Sequence, residues 1–479
     1  MSSCQTNCPK RSAWSDKPRE ECGVFGIYAP GHDVTKLTYY GLYALQHRGQ
    51  ESAGIAVADG EKIQLYKGMG LVAEVFSGNQ LDSLQGSAAV GHVRYSTSGS
   101  SHPVNAQPLL FRYSGGMLSL AHNGSITNVT ELRSQLLFTG SVFQSSTDSE
   151  VIVNLLARSA QHNLLDGLIK SFSTIHGAYS LVILTEKQLL AIRDPYGFRP
   201  LCLGTLDEGG YVVASESCAL DTVGAKFLRD VEPGEIVVID QKGLESIKMP
   251  KAPRLAHCIF EYIYLARPDS NIDGFNVHQS RQAMGRRLAA EYPVAADLVI
   301  PVPDSGTIAA RGFAEAAGIP FDEGLMKNRY IGRTFIQPTQ DMRTLAVRLK
   351  LNPVKNVLSG KRVIMVDDSI VRGTTSNKLV TMLRACGAKE VHLCLSSPPI
   401  PYSCYYGIDT SNKKELIAAQ MSLDEIRRTI GADGLHYISL EGLLDVFGAA
   451  RHDFCTACFD GHYPVEIPQP SDTGKYNLE

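Results

Sequence analysis

One stretch, residues 363–376, constrains this chain more than any other. It reads Val-Ile-Met-Val-Asp-Asp-Ser-Ile-Val-Arg-Gly-Thr-Thr-Ser. Val363, Ile364, Met365 and Val366 form a continuous apolar run, which predicts a short strand covered on both faces, as in a parallel sheet. The run ends in Asp367 and Asp368, carboxylates that suit ribose hydroxyls or a magnesium ion. Ser369 follows, and after Arg372 come Gly373, Thr374, Thr375 and Ser376. Glycine lets a backbone approach an oxyanion, and the hydroxyls donate to it. Leu379, Met382, Leu383 and Cys386 then recur at helical spacing, with Gly387 as a stop. The start of that helix adds a favourable dipole for a phosphate. Paired acids or a Gly-Thr-Thr alone would mean only a solvated turn. In this order they point to a sugar-phosphate site, and the missing Gly-Lys-Ser/Thr ending excludes a Walker loop.

A chain of 479 residues is too long for one ordinary core, so two domains are expected. A net charge of -3 offers nothing to nucleic acid or an anionic membrane. No apolar run is long enough to span a bilayer, and residues 1–17 lack the apolar centre of a secretory signal. These features predict a cytoplasmic protein. Eleven cysteines in so long a chain do not make a secreted disulfide scaffold. Cys202, Cys218, Cys386 and Cys394 have apolar neighbours and are expected as inert core thiols. Cys258, Cys404 and the pair Cys455 and Cys458 fit zinc, an iron–sulfur cluster, or no metal at all.

Taken in order, the chain begins with a polar leader, residues 1–21, that reads as disordered or removable. Cys22 then heads an apolar segment with strand character. Arg94, followed by small hydroxyls, offers a fixed cation for an α-carboxylate. Asn123 and Gly124 follow an apolar run and supply an amide and an unhindered N–H for a developing oxyanion. Thr147 to Glu150 match a capping box, which accounts for Thr147 and Glu150 and leaves Asp148 for a substrate ammonium. Residues 186–240 alternate short apolar runs with turns and predict strands. The boundary is expected within residues 243–254, where Lys248, Pro250, Lys251 and Pro253 cluster. Beyond it, residues 297–302 predict a strand, then a Pro303-Asp304-Ser305-Gly306 loop and a helix stopped by Gly318. Two strand–loop–helix units predict a doubly wound α/β sheet with ligands at the carboxyl ends of its strands. Lys327 and Arg329 lie in a cationic, glycine-containing segment that by itself reads as a surface loop.

Residues 363–376 resemble the signature loop of type I phosphoribosyltransferases. Cys22, Arg94, Asn123, Gly124 and Asp148, with the segments 46–54 and 193–197, resemble the glutamine-hydrolysing domain of N-terminal-nucleophile amidotransferases. Together the chain is similar to the amidophosphoribosyltransferase family from Cys22 to about Tyr463. The resemblance implies an α+β N-terminal-nucleophile hydrolase sandwich followed by an α/β type I phosphoribosyltransferase domain with a mainly parallel sheet. Its implied division is a propeptide at 1–21, a glutamine domain at 22–253, a phosphoribosyltransferase domain at 254–465 and a tail at 466–479. Implied roles follow residue by residue. Cys22 is the nucleophile, Asn123 and Gly124 the oxyanion donors, and Arg94 and Asp148 the grip on glutamine. Asp367, Asp368, Ser369, Gly373, Thr374, Thr375, Ser376, Lys327 and Arg329 bind phosphoribosyl diphosphate. Ser305, Asp367 and Asp368 serve one Mg2+, and Cys258, Cys404, Cys455 and Cys458 hold a [4Fe–4S] cluster. Feedback by purine nucleotides and a homotetramer are further implications. Other glutamine-dependent enzymes with this first domain, such as asparagine synthetase, lack a stretch like 363–376. A salvage phosphoribosyltransferase would leave the first domain without purpose, and a non-enzymatic sensor would need no Cys22.

Overall fold

The computed structural model describes residues 22–95, 101–160, 163–328, 351–410 and 412–467. The expected propeptide, Arg329 and most of the C-terminal tail lie outside them. The described residues fall into two compact units. The larger takes the chain as far as Arg281 and adds residues 401–413 and 444 onward; the smaller holds residues 282–400 and 414–443.

Thirteen strands build the larger unit's two main sheets. In chain order they are β1 (Gly23–Tyr28), β2 (Ser52–Ala58), β3 (Ile63–Met69), β4 (Ala88–Arg94), β5 (Leu109–Tyr113), β6 (Gly116–Ile126) and β7 (Gly177–Thr185). Next come β8 (Leu189–Arg193), β9 (Cys202–Thr205), β10 (Tyr211–Ala214), β11 (Lys226–Asp230), β12 (Glu235–Asp240) and β13 (Gly243–Lys248). One antiparallel sheet runs β11-β9-β10-β1-β4-β2-β3 and the other β13-β12-β8-β7-β6-β5. The alternation of side chains along a strand explains how apolar runs serve two layers at once. On β1, Phe25 and Ile27 join a cluster with Leu42 and Leu45 beside the helix Val34–Ala44. Val24 instead joins Val90, Ala121, Val182 and Val237 in the core between the sheets. The sheets meet closely here, since a Cβ at Gly26 would lie 2.6 Å from Val182 Cγ1. The helices Val129–Phe138, Ser149–Ser159 and Leu164–Phe172 cover the second sheet through Leu136, Ile152, Leu156 and Phe172. This is the expected helix-covered sandwich.

Two boundary expectations need correction. Residues 243–248 are not linker but β13, an edge strand registered against β12 from Gly243–Asp240 to Lys248–Glu235. Residues 254–281, expected to open the second domain, belong to the larger unit. A short parallel pairing of His257–Cys258 with Phe454–Cys455 ties in residues from near the chain's end. Lysines and prolines marked a change in surface composition, not the point where packing divides.

The smaller unit centres on a four-stranded parallel sheet, β14 (Leu298–Pro301), β15 (Arg362–Asp367), β16 (Glu390–Leu395) and β17 (Gly434–Tyr437), in that spatial order. Val363 and Met365 of β15 are fully buried with Ile300, Leu379, Leu383 and Leu393, as the continuous apolar run predicts. Gly318 ends the helix Thr307–Ala317 in the left-handed conformation, φ 64°. No described helix is long and apolar enough to cross a membrane.

Candidate functional site

Cys22 sits at the head of β1, buried, with its Sγ 3.4 Å from the Tyr95 carbonyl. Burial pushes this thiol up to about 11, and Arg94 only partly offsets it. The thiol is therefore protonated at neutral pH and needs a base before it can attack. Arg94, at the end of β4, is buried and paired with Glu51 at 2.5 Å. Sequence reading missed that partner, which fixes the guanidinium in place beside Cys22. Gly49 makes room for the same segment, since a Cβ there would lie 2.6 Å from the Val93 carbonyl carbon and 2.7 Å from the Arg94 backbone nitrogen.

On β6, Asn123 is buried and its Nδ2 has no hydrogen-bond partner among the described residues. A buried amide donor without an acceptor is costly, and an oxyanion would satisfy it. Gly124 beside it has φ +142°, a value that favours glycine. Asp148 has a structural duty that the sequence did not show. Its Oδ2 accepts the Ile126 N–H at 3.1 Å, and its Oδ1 lies 3.7 Å from His122 Nδ1. It also occupies the N-cap position of helix Ser149–Ser159 without a side-chain cap bond. The expected capping box does not form. Glu150 instead accepts from the Gln144 and Ser145 backbones at 2.8 and 2.6 Å, and Thr147 Oγ1 bonds Ser145 Oγ at 2.9 Å. The Ser145 hydroxyl also donates to Glu150, at 2.6 Å, and three donors to one carboxylate outcompete a single N-cap bond.

Behind Cys22 lies a buried ion network that no sequence feature announced. Arg48 Nε donates to the Cys22 carbonyl at 3.1 Å. Its other nitrogens reach Glu216 Oε1 at 2.6 Å and Glu261 at 2.8 and 3.0 Å. Glu216 also receives His47, the Ser270 hydroxyl and the Arg267 N–H. These contacts hold the Glu216 carboxyl well below the usual carboxylate range against the opposing effect of burial. The Arg193–Asp194 pair of the 193–197 segment is likewise structural. Asp194 accepts N–H groups of Tyr179, Tyr196 and Phe198. Arg193 pairs with Asp273 at 2.7 Å and donates to the Arg199 carbonyl at 2.8 Å.

In the smaller unit, β15 delivers Asp367 and Asp368, both buried, to its carboxyl end. Asp367 Oδ1 accepts the Asp368 N–H at 2.9 Å, and Ser369 Oγ donates to Asp368 Oδ1 at 2.5 Å. Gly373 takes φ 78° at the N-cap of the helix Thr374–Ala385, placing Thr374, Thr375 and Ser376 in its first turn. The Ser305-Gly306 loop adjoins this turn, because a Cβ at Gly306 would lie 2.4 Å from the Val366 carbonyl and 3.1 Å from Asp367 Cα. Lys327 Nζ is 2.5 Å from Asp304 Oδ2 on the same loop. Arg372 pairs with Glu415, Nε to Oε2 at 2.9 Å. Oxygen donors at Ser305, Asp367 and Asp368 suit a hard cation. Among the described residues no three His, Cys, Asp or Glu side chains converge on one ion. Water and substrate oxygens would complete the shell, as magnesium prefers.

The four remaining cysteines do come together. Cys258, Cys404, Cys455 and Cys458 line one cavity with Phe198, Arg199, Phe260 and Tyr406. Among the described residues no three His, Cys, Asp or Glu side chains are grouped as a single-ion site requires. Burial pushes the Cys455 thiol up to about 12, and Cys404 adds to the effect. Four cysteine thiols lining one cavity are the ligand type that an iron–sulfur cluster takes. Of the expected core thiols, Cys202, Cys218 and Cys394 are buried, but Cys386 at a helix end is half-buried.

Comparison with known proteins finds two domain families in this chain. Residues 92–222 match the glutamine amidotransferase domain family and residues 278–399 the phosphoribosyl transferase domain family. Amidophosphoribosyltransferase of Bacillus subtilis is 53% identical over 456 residues, covering 94% of this chain and 95% of the relative. That of Synechococcus elongatus is 52% identical, covering 97% and 95%. The solved glutamine phosphoribosylpyrophosphate amidotransferase from B. subtilis, complexed with ADP and GMP, superposes with a TM-score of 0.89 at 52% identity, covering 94% of this chain and 99% of that one. The chain belongs to the amidophosphoribosyltransferase family.

Proposed function

We propose that this chain converts glutamine, water and 5-phosphoribosyl 1-diphosphate to 5-phosphoribosylamine, diphosphate and glutamate, the first step of de novo purine biosynthesis. The observation that carries the reading is the buried Asn123 amide, without a partner among the described residues, in the same sandwich as the buried Cys22 thiol. It accompanies a strand-to-helix turn of acids, glycine and hydroxyls in the smaller unit.

Removal of residues 1–21 would free the Cys22 α-amine to take the thiol proton. Sγ bonds to the side-chain carbonyl carbon of glutamine, and Asn123 and Gly124 receive the oxyanion. The C–N bond breaks, the proton leaves with ammonia, and water hydrolyses the thioester to glutamate. Arg94 and Asp148 hold the amino-acid end. Ammonia then attacks C1 of the ribose as diphosphate departs. Thr374, Thr375, Ser376 and the Gly373 backbone hold the 5-phosphate, while Asp367 and Asp368 hold the ribose, assisted by Ser369. Lys327 and Arg329 are assigned to neutralise the charge of the diphosphate. Mg2+ held through Ser305, Asp367 and Asp368 would supply charge neutralisation to the leaving diphosphate. A [4Fe–4S] cluster on Cys258, Cys404, Cys455 and Cys458 would supply a rigid covalent tie among segments far apart in sequence. Purine nucleotides are assigned as feedback inhibitors, supported by the nucleotides in the B. subtilis complex. A homotetrameric, cytoplasmic enzyme completes the reading.

The test compares two nitrogen donors. Cys22→Ser should lose glutamine-dependent phosphoribosylamine formation by at least ~10³-fold while retaining the ammonia-dependent rate. Asp367→Asn should lower both. Full glutamine-dependent activity in Cys22→Ser would refute the assignment.

A further inference from the structure

Two connections run from the lining of the four-cysteine cavity to the glutamine chemistry. The first is a backbone contact. A Cβ at Gly407 would lie 3.3 and 3.4 Å from the C and Cα atoms of Gly124, and 3.1 Å from Arg199 Nη2. Gly407 has φ +120°, so this close approach depends on glycine twice over. Just before it, the Tyr406 N–H donates to Cys404 Sγ at 3.4 Å. The segment 404–407 is thus bonded to a cavity thiol at one end and rests on the oxyanion glycine at the other.

The second connection is the ion network. Arg199, a wall of the cavity, donates to the Tyr406 carbonyl at 3.1 and 2.7 Å, and its Nη1 lies 3.6 Å from Glu261 Oε1. Glu261 belongs to the short helical segment that follows Cys258. It receives two nitrogens of Arg48, whose Nε holds the Cys22 carbonyl. Arg48, Arg199 and Glu261 are each at most 1% exposed. Water therefore cannot screen or replace these contacts, and a close-packed interior transmits displacement.

We propose that the four-cysteine site is a positioning device for glutamine hydrolysis. A cluster bridging the thiols fixes segments 258–261 and 404–407. Glu261 and Arg48 then set the Cys22 backbone, and Gly407 sets Gly124. This rests on the cluster reading above. Glu261, Arg199 and Gly407 are positioning residues, touching neither substrate nor the reacting atoms. A cavity that serves only as a local staple would instead affect both activities and stability together.

The experiment uses full-length Glu261→Gln and Gly407→Ala proteins, reconstituted anaerobically beside wild type. It reads iron content, ammonia-dependent rate, glutamine-dependent kcat and KM, and the rate of Cys22 alkylation by iodoacetamide. Both variants should keep wild-type iron and an ammonia-dependent rate within twofold, while glutamine-dependent kcat falls at least tenfold and KM changes less. Stripping iron from wild type with a chelator should change the Cys22 alkylation rate at least fivefold. Iron-loaded variants with unchanged glutamine-dependent kcat, or an alkylation rate indifferent to iron, would overturn the proposal alone. Parallel loss of both rates would overturn it in favour of the staple. Wild type that stays iron-free after reconstitution would overturn the cluster reading, and the proposal with it.

Discussion

The two sites of this chain are built in opposite ways. The sugar-phosphate site is nearly continuous: Asp367 to Ser376 run from the end of β15 into the first turn of one helix. Hydrogen bonds between neighbours, such as Ser369 to Asp368, shape it. The glutamine site gathers Cys22, Arg94, Asn123 and Asp148 from β1, β4, β6 and a helix start. Its backing comes from Arg48, Glu216 and Glu261, more than two hundred positions apart at the extremes (Arg48 and Glu261 are separated by 213). A local site tolerates distant change, whereas an assembled site inherits the precision of its packing.

Substitutions on each side sharpen this contrast. The larger effect belongs to Asn123→Ala. Removing an oxyanion donor costs ~10²–10³ in kcat, so glutamine-dependent turnover should fall by that factor with the ammonia-dependent rate unchanged. Steady-state kinetics with both donors would show it, and equal losses would dissolve the distinction between the sites. The smaller effect belongs to Gly373→Ala. Its φ of 78° is unfavourable for alanine, and the new Cβ would lie 2.7 Å from Ile417 Cδ1, a side-chain end that can shift. A penalty of ~1 kcal/mol should raise KM for phosphoribosyl diphosphate about fivefold. Glutaminase activity measured alone should not change.

The same contrast explains what the sequence made legible. A strand, two acids, a glycine and three hydroxyls in unbroken order carry their own geometry, so residues 363–376 folded as their pattern predicts. Strands of the sandwich were visible in short apolar runs, although the one at Gly243–Lys248 was hidden by lysines and prolines around it. Arg48 stood in plain view within segment 46–54. Nothing local says that its guanidinium turns inward, because the carboxylates that draw it there are contributed by Glu216 and Glu261. Arg372 makes the same point on a smaller scale, since nothing beside it announces its partner Glu415. Pairing across long sequence separations is what pattern reading leaves out. It governs most of the glutamine site and little of the phosphoribosyl site.

The central claim is that nitrogen released at Cys22 becomes the amine on ribose C1. Glutamine labelled with 15N at its side-chain amide, supplied with saturating phosphoribosyl diphosphate and an equal concentration of unlabelled ammonium, tests it most directly. The account predicts that phosphoribosylamine, trapped and read by mass spectrometry, carries mostly the 15N label in wild type and none in Cys22→Ser. Unlabelled product from wild type, with glutamate accumulating beside it, would contradict the account.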